Sequence, residues 1–310
     1  MSHPLQMTAP ELLTTAIMTS TPIIIVEGND DISIYENILL SLDLDFKVYA
    51  SENLKVISSG KAGCVGVKHS LEVIEFNSNG LDYEKHILGI IDKDVSVFRG
   101  DDNTLKGLFV LKYYSIESHY ITKEIIPYIV NNLTLISLKS FDDKISDIIF
   151  SNILEKLNDL YYISLEALRN ACESEYESLF RYQPNSIHSI RQHTNFERDR
   201  EKLEEKLEDL NIFAESFNLS KNIDSLRLIA KGKWILEDFI SELNQELNAI
   251  SNLCKSGDIE KCQFCINETY DKCLYIMKSK NEKNNIKRLL FNNVNISELD
   301  YIKDRMQQLG

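Results

Sequence analysis

Residues 21–28, TPIIIVEG, are a short apolar, β-branched run closed by an acid and a glycine. Runs of this kind fill parallel strands that are buried on both faces. Gly28 permits a tight turn, and residues 30–42 then have helical spacing, with Ile34, Ile38 and Leu42 on one stripe. Residues 46–50 and 55–58 read as short strands. The loop Gly60-Lys61-Ala62-Gly63 leads into a helix over residues 65–76. Residues 86–91 (HILGII) form a second buried-strand candidate, closed by Asp92-Lys93-Asp94, and residues 108–112 a third. Strands separated by helices imply an α/β fold, a parallel sheet with helices on its faces. After about Tyr120 the character changes, and residues 145–306 read as almost wholly helical. Residues 196–210 (FERDREKLEEKLEDL) are the clearest helix, with opposite charges interleaved at i, i+4. The expected organisation is an α/β catalytic domain over residues 1–130. A mostly α-helical region over 131–310 would then serve partner, dimer or substrate contacts.

Bulk properties bound the function. A chain of 310 residues has room for about two domains. Hydrophobic content of 43% and charged content of 26% are ordinary for a globular protein. No apolar run approaches a membrane span and no secretory signal opens the chain, so the expected location is the cytoplasm, away from any membrane. The net charge of −14, from 48 acidic and 34 basic side chains, argues against a protein that coats nucleic acid. It leaves room for an enzyme that holds its substrate through metal ions and a local basic patch.

In an open parallel sheet, functional groups gather beyond the carboxyl ends of the strands. Three acids stand at such ends: Glu27 after the first strand, and Asp92 and Asp94 after Ile90-Ile91. At a spacing of two, Asp92 and Asp94 share a face if the strand continues that far. If the two strands are neighbours, three carboxylates converge on one small volume. Like charges that close repel, so the cluster needs a cation or shared protons. Hard oxygen donors favour Mg²⁺ (or Mn²⁺), and the matching chemistry is in-line attack on a phosphodiester by a metal-dependent endonuclease. Taken singly, each acid is also explained as a helix cap or a turn residue.

The segments IIIVEGNDD, SSGKAG and GIIDKD, in that order, resemble the Toprim pattern: a glutamate after the first strand and Asp-x-Asp after a later one. YYSIESHYI, residues 113–121, narrows the likeness. It is similar to a Toprim-like group of bacterial proteins that includes the AriB effector of the PARIS anti-phage system, which works with an ABC-type ATPase partner. The resemblance covers residues 15–125, with an echo at Lys231-Gly232-Lys233-Trp234. It implies that Glu27, Asp92 and Asp94 bind metal, and that Asp31 and Glu117 could support a second ion. Both of the latter have an alternative as first-turn acids of helices. Lys61 is the candidate cation near a scissile phosphate, against a plain solvated turn lysine; the loop lacks the features of a Walker A motif. The resemblance further implies toxic cleavage of host nucleic acid, tRNA being the favoured substrate, under control of the ATPase. A homodimer suits a nuclease, although no interface signature is visible. The alternatives are a non-catalytic partner-binding module and a housekeeping RNA-processing Toprim nuclease. Strand passage and primer synthesis need further domains for which the chain has little room.

Cys254, Cys262, Cys265 and Cys273 are separated by seven, two and seven residues. One C-x₂-C pair with a cysteine on either side can make a structural zinc site, although the helical look after Ile259 does not favour a knuckle turn. Zinc and buried free thiols both stay open. Cys64 and Cys172 stand alone and read as small hydrophobes. Lys278, Lys280, Lys283, Lys287 and Arg288 form the densest positive stretch, either a solvated helix end or a contact for a nucleic-acid backbone. His188, Arg191 and His193 read as surface or core residues, and Trp234 as a core anchor.

Overall fold

The structure, a computed structural model, describes residues 7–55, 62–101, 103–278 and 283–309. Strands β1 (Ile23–Val26), β2 (Lys47–Ala50), β3 (Ile87–Ile91) and β4 (Leu108–Val110) form one all-parallel sheet in the order β2-β1-β3-β4. Every residue of β1 and β3 is buried. Runs of isoleucine, leucine and valine without polar alternation require central strands covered on both faces, and these two occupy the centre. The flanking β2 and β4 carry the part-exposed residues. Of the strand expected over residues 55–58, residues 56–58 lie outside the described residues.

Helix α1 (Ala9–Thr19) precedes the sheet. Thr8 and Glu11 form a reciprocal cap, the Glu11 carboxylate accepting the Thr8 N–H at 2.7 Å and Thr8 Oγ1 accepting the Glu11 N–H at 3.4 Å. Helix α2 (Asn29–Ser41) connects β1 to β2 and packs beside both. Helix α3 (Gly63–Asn77) connects β2 to β3, and the four-residue α4 (Ser96–Arg99) follows β3. Leu12, Leu13 and Ala16 of α1 and Leu71 and Ile74 of α3 join Ile23, Ile25, Ile87 and Ile91 in one core. Gly89 sets how closely α3 can approach, because a Cβ there would sit 2.8 Å from side-chain carbons of Val67 and Leu71.

The second compact unit spans Glu117–Ile296. It is built from α5 (Ile125–Leu133), α6 (Asp143–Lys156), α7 (Asn158–Cys172), α8 (Ile187–Arg191), α9 (Phe196–Glu205), α10 (Leu207–Ser216), α11 (Ile223–Ile229), α12 (Gly232–Ser256), α13 (Gln263–Ile266) and α14 (Lys283–Asn292). Its described residues contain no strand, only an isolated antiparallel bridge between Thr134 and Met277. The chain then returns: Ser297–Gly310, carrying α15 (Asp300–Gln307), belongs with Met1–Ile116, and α15 packs on α2. The units therefore divide after Ile116, ahead of the composition shift near residue 130, and the second does not run to the C-terminus. No helix among the described residues is long and apolar enough to cross a membrane.

The helix expected over residues 196–210 is two helices that part at Lys206. Glu166, fully buried in α7, accepts from Tyr176 Oη at 2.6 Å, Leu179 N at 2.9 Å and Lys206 Nζ at 3.0 Å. A buried carboxylate needs such partners, and at Lys206 the backbone leaves helical geometry (ψ 1°). The charges of α9 likewise do not form an i, i+4 ladder; Arg200 reaches Asp159 at 3.8 Å instead.

Gly89→Ala should destabilise the first unit by about 1–3 kcal/mol through this overpacking, read as a lower urea midpoint. An unchanged midpoint would mean that α3 is free to move away from the sheet.

Candidate functional site

β1 and β3 are parallel neighbours, with Ile23 beside Ile87 and Ile25 beside Gly89. Glu27 and Asp92, each one residue past its strand, therefore reach the same edge of the sheet. From β1 the chain runs outward to β2 on one side, then crosses to β3 on the other. The crevice at such a reversal is where open α/β sheets place ligands.

Glu27 is part-buried and tied on several sides. Its Oε1 accepts the Asp92 N–H at 2.9 Å, and the Cys64 N–H, in the first turn of α3, also donates to it. Ser51 Oγ donates to the Glu27 carbonyl at 2.9 Å and lies 3.2 Å from the Gly63 carbonyl, pinning the start of α3 beside the end of β1. Gly63 sits at φ +63°, a left-handed backbone that favours glycine, and a Cβ there would meet Glu27 Oε2 only at an ordinary contact of 3.5 Å. Burial pushes the Glu27 carboxyl up to about 7, the Asp92 N–H opposes this, Asp31 and Asp94 raise it further, and the Cys64 N–H opposes again.

Asp31 accepts the Gly28 N–H at 3.1 Å, so it caps α2 while its charge acts on Glu27. Asp94 departs from the expected geometry. The strand stops at Ile91, and Asp94 has a left-handed φ of 39°, so it does not share a strand face with Asp92. Its N–H donates to the Tyr114 carbonyl at 2.9 Å and its Oδ1 accepts the Ser96 N–H at 2.5 Å, a turn-forming role. Its charge still contributes to the raised pKa of Glu27, Tyr114 and Cys64. Lys61 lies outside the described residues. Glu117 stands in the first turn of the 3₁₀ helix Ile116–Tyr120 and opens the second unit.

Three phenols border the acids without having stood out in the sequence. Tyr35, Tyr114 and Tyr301 are each pushed above the usual tyrosine range chiefly by burial, and Asp92 is among the groups that raise all three, the Lys112 N–H opposing the rise at Tyr301. Tyr301 arrives on α15, and its hydroxyl accepts the Lys112 N–H at 2.8 Å. Tyr114 belongs to the quoted YYSIESHYI segment; nothing local signals Tyr301.

The four C-terminal cysteines also come together. Cys254 lies in the last turn of α12, Cys262 caps α13, Cys265 lies within it, and Cys273 follows a 3₁₀ turn. All four are buried, and their sulfurs lie within 4.8 Å of one another. The turn after Ile259 is thus compatible with a knuckle. Burial acts on the Cys262 thiol, yet N–H groups of Leu274, Cys265 and Phe264 directed at its sulfur prevail and lower it to about 7. Burial pushes Cys254 up to about 11. These four cysteines could bind a metal ion such as zinc. Among the described residues they are the one group of three or more histidine, cysteine or acidic side chains close enough to hold an ion; the carboxylates at the sheet edge are not gathered so tightly.

No protein-family model matches the chain, and no curated protein matches it.

The basic stretch separates into roles. Lys278 is spent on structure, its Nζ donating to the carbonyls of Asn131 and Asn132 at 3.0 and 3.1 Å near the end of α5. Lys280 lies outside the described residues, and Arg288 is exposed. Lys283 and Lys287 line a groove with Asn185, Ser186, Asn284 and Lys233, the last from the Lys-Gly-Lys-Trp segment. Glu237 also lines it, occupied by Ser186 Oγ at 2.8 Å and the Ile187 N–H at 2.9 Å. Arg191 instead pairs with Asp238 at 2.6 and 2.8 Å, and Trp234 is fully buried with its indole N–H on the Pro184 carbonyl.

The Glu27 carboxyl gives a pH-dependent stability. Its folded value of about 7 exceeds the unfolded 4.5. The stability tied to its protonated form is full below about 4.5 and lost as pH rises through about 7. Without added divalent ions, Glu27→Gln should be more stable than wild type at pH 8 by on the order of 2 kcal/mol, with the gap closing near pH 4. Equal denaturation midpoints at both pH values would show that the charge carries no such cost.

Proposed function

We propose that the chain is a divalent-metal-dependent Toprim-like nuclease. The observation that carries this reading is the meeting of Glu27 and Asp92 at the ends of adjacent parallel strands, at the reversal of strand order. Asp31 and Asp94 add charge to the same edge. Oxygen donors and mutually repelling charges fit a hard dication such as Mg²⁺ or Mn²⁺. When bound, that ion would polarise a phosphodiester and supply an activated water. The chain's own contribution is to hold Glu27 by two backbone N–H groups and to present Asp92 beside it. In the same reading the cysteines hold zinc. The resemblance adds the biological setting: an effector of bacterial anti-phage defence that cleaves host tRNA under an ABC-type ATPase partner. A cytoplasmic location and a homodimer suit such a nuclease.

A second reading, a non-catalytic partner-binding module on the same fold, is favoured by two observations. One oxygen of Asp94 is engaged in the turn with Ser96, and the acids are not drawn together as tightly as the cysteines.

Induction of the protein, alone and with its neighbouring ATPase gene and a phage trigger, should fragment tRNA, and a matched Glu27→Ala strain should not. Loss of plasmid in place of tRNA would move the substrate to DNA. Intact nucleic acid throughout, with the variant behaving as wild type, would leave the partner-binding module.

Lys233, Lys283 and Lys287 suit contact with a phosphate backbone in this reading. Changing all three to Glu should weaken tRNA binding, measured without added divalent ions, by about tenfold or more and flatten its salt dependence. Unchanged affinity would make the groove a solvated surface only.

A further inference from the structure

We infer that zinc at the four cysteines is a staple that orders Gly257–Lys278 and closes the C-terminal end of α5. The inference deepens the zinc part of the reading above and is independent of the nuclease part.

The geometry points to a tetrathiolate site. A tetrahedral ion with zinc–sulfur bonds of about 2.3 Å sets its four sulfurs about 3.8 Å apart. Here all four lie within 4.8 Å of one another. Small inward movements would complete the shell, whereas disulfides would pair sulfurs and leave no common centre. The backbone is arranged for sulfur that carries charge. The Cys262 N–H lies 3.2 Å from Cys254 Sγ, and the Leu274 N–H 3.5 Å from Cys262 Sγ. Such donors stabilise the net negative charge of a zinc ion held by four thiolates.

The segment around the site needs the ion. Between α12 and Lys278 its regular structure is one short helix, Gln263–Ile266, and one 3₁₀ turn, Tyr270–Lys272. Ile266 is 66% exposed and Tyr270 40%, so the two turns bury little of their own, and apart from the cysteines the segment's buried apolar residues are Ile259 and Tyr275 at its edges. The cysteines take the place of a core, joining the end of α12, the turn at Cys262–Cys265 and the turn after Cys273, where the Ile276 N–H donates to the Cys273 carbonyl at 3.1 Å. Segments with so small a core are stabilised by metal.

What the staple holds lies just downstream. Four residues after Cys273, Met277 makes the antiparallel bridge to Thr134. The Lys278 N–H donates to the Leu133 carbonyl at 2.9 Å, and its Nζ reaches the carbonyls of Asn131 and Asn132. These are carbonyls from the last turn of α5, which its own helix leaves unpaired. The metal thus links the end of α12 to the end of α5 through a short tether.

The test uses the full chain purified without chelator. Metal analysis should give one zinc per chain. A thiol reagent should react with the two part-exposed cysteines, Cys64 and Cys172, without releasing zinc, and with the other four only as zinc is released in step. Replacement by Co²⁺ should give the visible absorption and sulfur-to-metal charge transfer of a tetrahedral thiolate site. On zinc removal, amide exchange should rise at Leu133–Ile136 and Leu274–Lys278 while β1 and β3 keep their protection. Cys262→Ser and Cys273→Ser should lose the zinc; if either fails to fold, the thiol and metal measurements on wild type still decide. No zinc with all four thiols unreactive or freely reactive, iron in its place, or zinc retained by both variants would overturn the site. Zinc present, with exchange at Leu133–Ile136 unchanged on its removal, would overturn the staple.

Discussion

A parallel pair of strands sends both carboxyl ends to the same edge of the sheet, and most of what is distinctive in the first unit follows from that constraint on β1 and β3. Glu27 and Asp92 are separated by 65 positions and still share a 2.9 Å hydrogen bond. The surrounding parts hold the pair in place. Ser51 at the end of β2 grips the Glu27 backbone, Gly63 lets α3 begin against the Glu27 side chain, and Tyr301 returns from the far end of the chain. Ser51 and Gly63 act on Glu27, an acid that burial has made costly to ionise, while the Tyr301 hydroxyl accepts the Lys112 N–H and its ring lies within the field of Asp92.

The central strands were legible because their composition admits few alternatives: IIIV and ILGII carry no polar side chain to place in water. The acid after each run was legible for the same reason, since it marks where burial ends. Helix α1 could have been found too, from the Thr8-Ala9-Pro10-Glu11 capping signal. Other features depend on contacts that sequence spacing does not encode. Asp94 leaves the strand face because its backbone turns left-handed toward Ser96. The break at Lys206 answers to Glu166, forty residues away. The C-terminal helix rejoins the first unit although the composition around it resembles that of the second.

Charge is distributed with the same economy. The chain carries a net −14, yet Lys233, Lys283 and Lys287 meet in one groove while the nearby acid Glu237 is occupied by Ser186 and the start of α8. Other lysines are used differently: Lys278 caps carbonyls and Lys206 neutralises a buried acid. A positive run read along the sequence therefore overstates the cationic surface, and the contribution of Lys233 emerges only in three dimensions. The cysteines show the converse, since spacing left both zinc and free thiols open and the folded chain draws four sulfurs together.

Metal-dependent chemistry requires that the sheet edge at Glu27 and Asp92 receive a divalent cation. Anomalous diffraction from crystals soaked in Mn²⁺ addresses this directly, because manganese scatters distinctly from the protein's own sulfur. A peak within coordinating distance of both carboxylates, absent from Asp92→Asn crystals, is the predicted result. Manganese bound elsewhere, or no peak at that edge at saturating concentration, would contradict the account and leave the acids as turn and cap residues of a binding module.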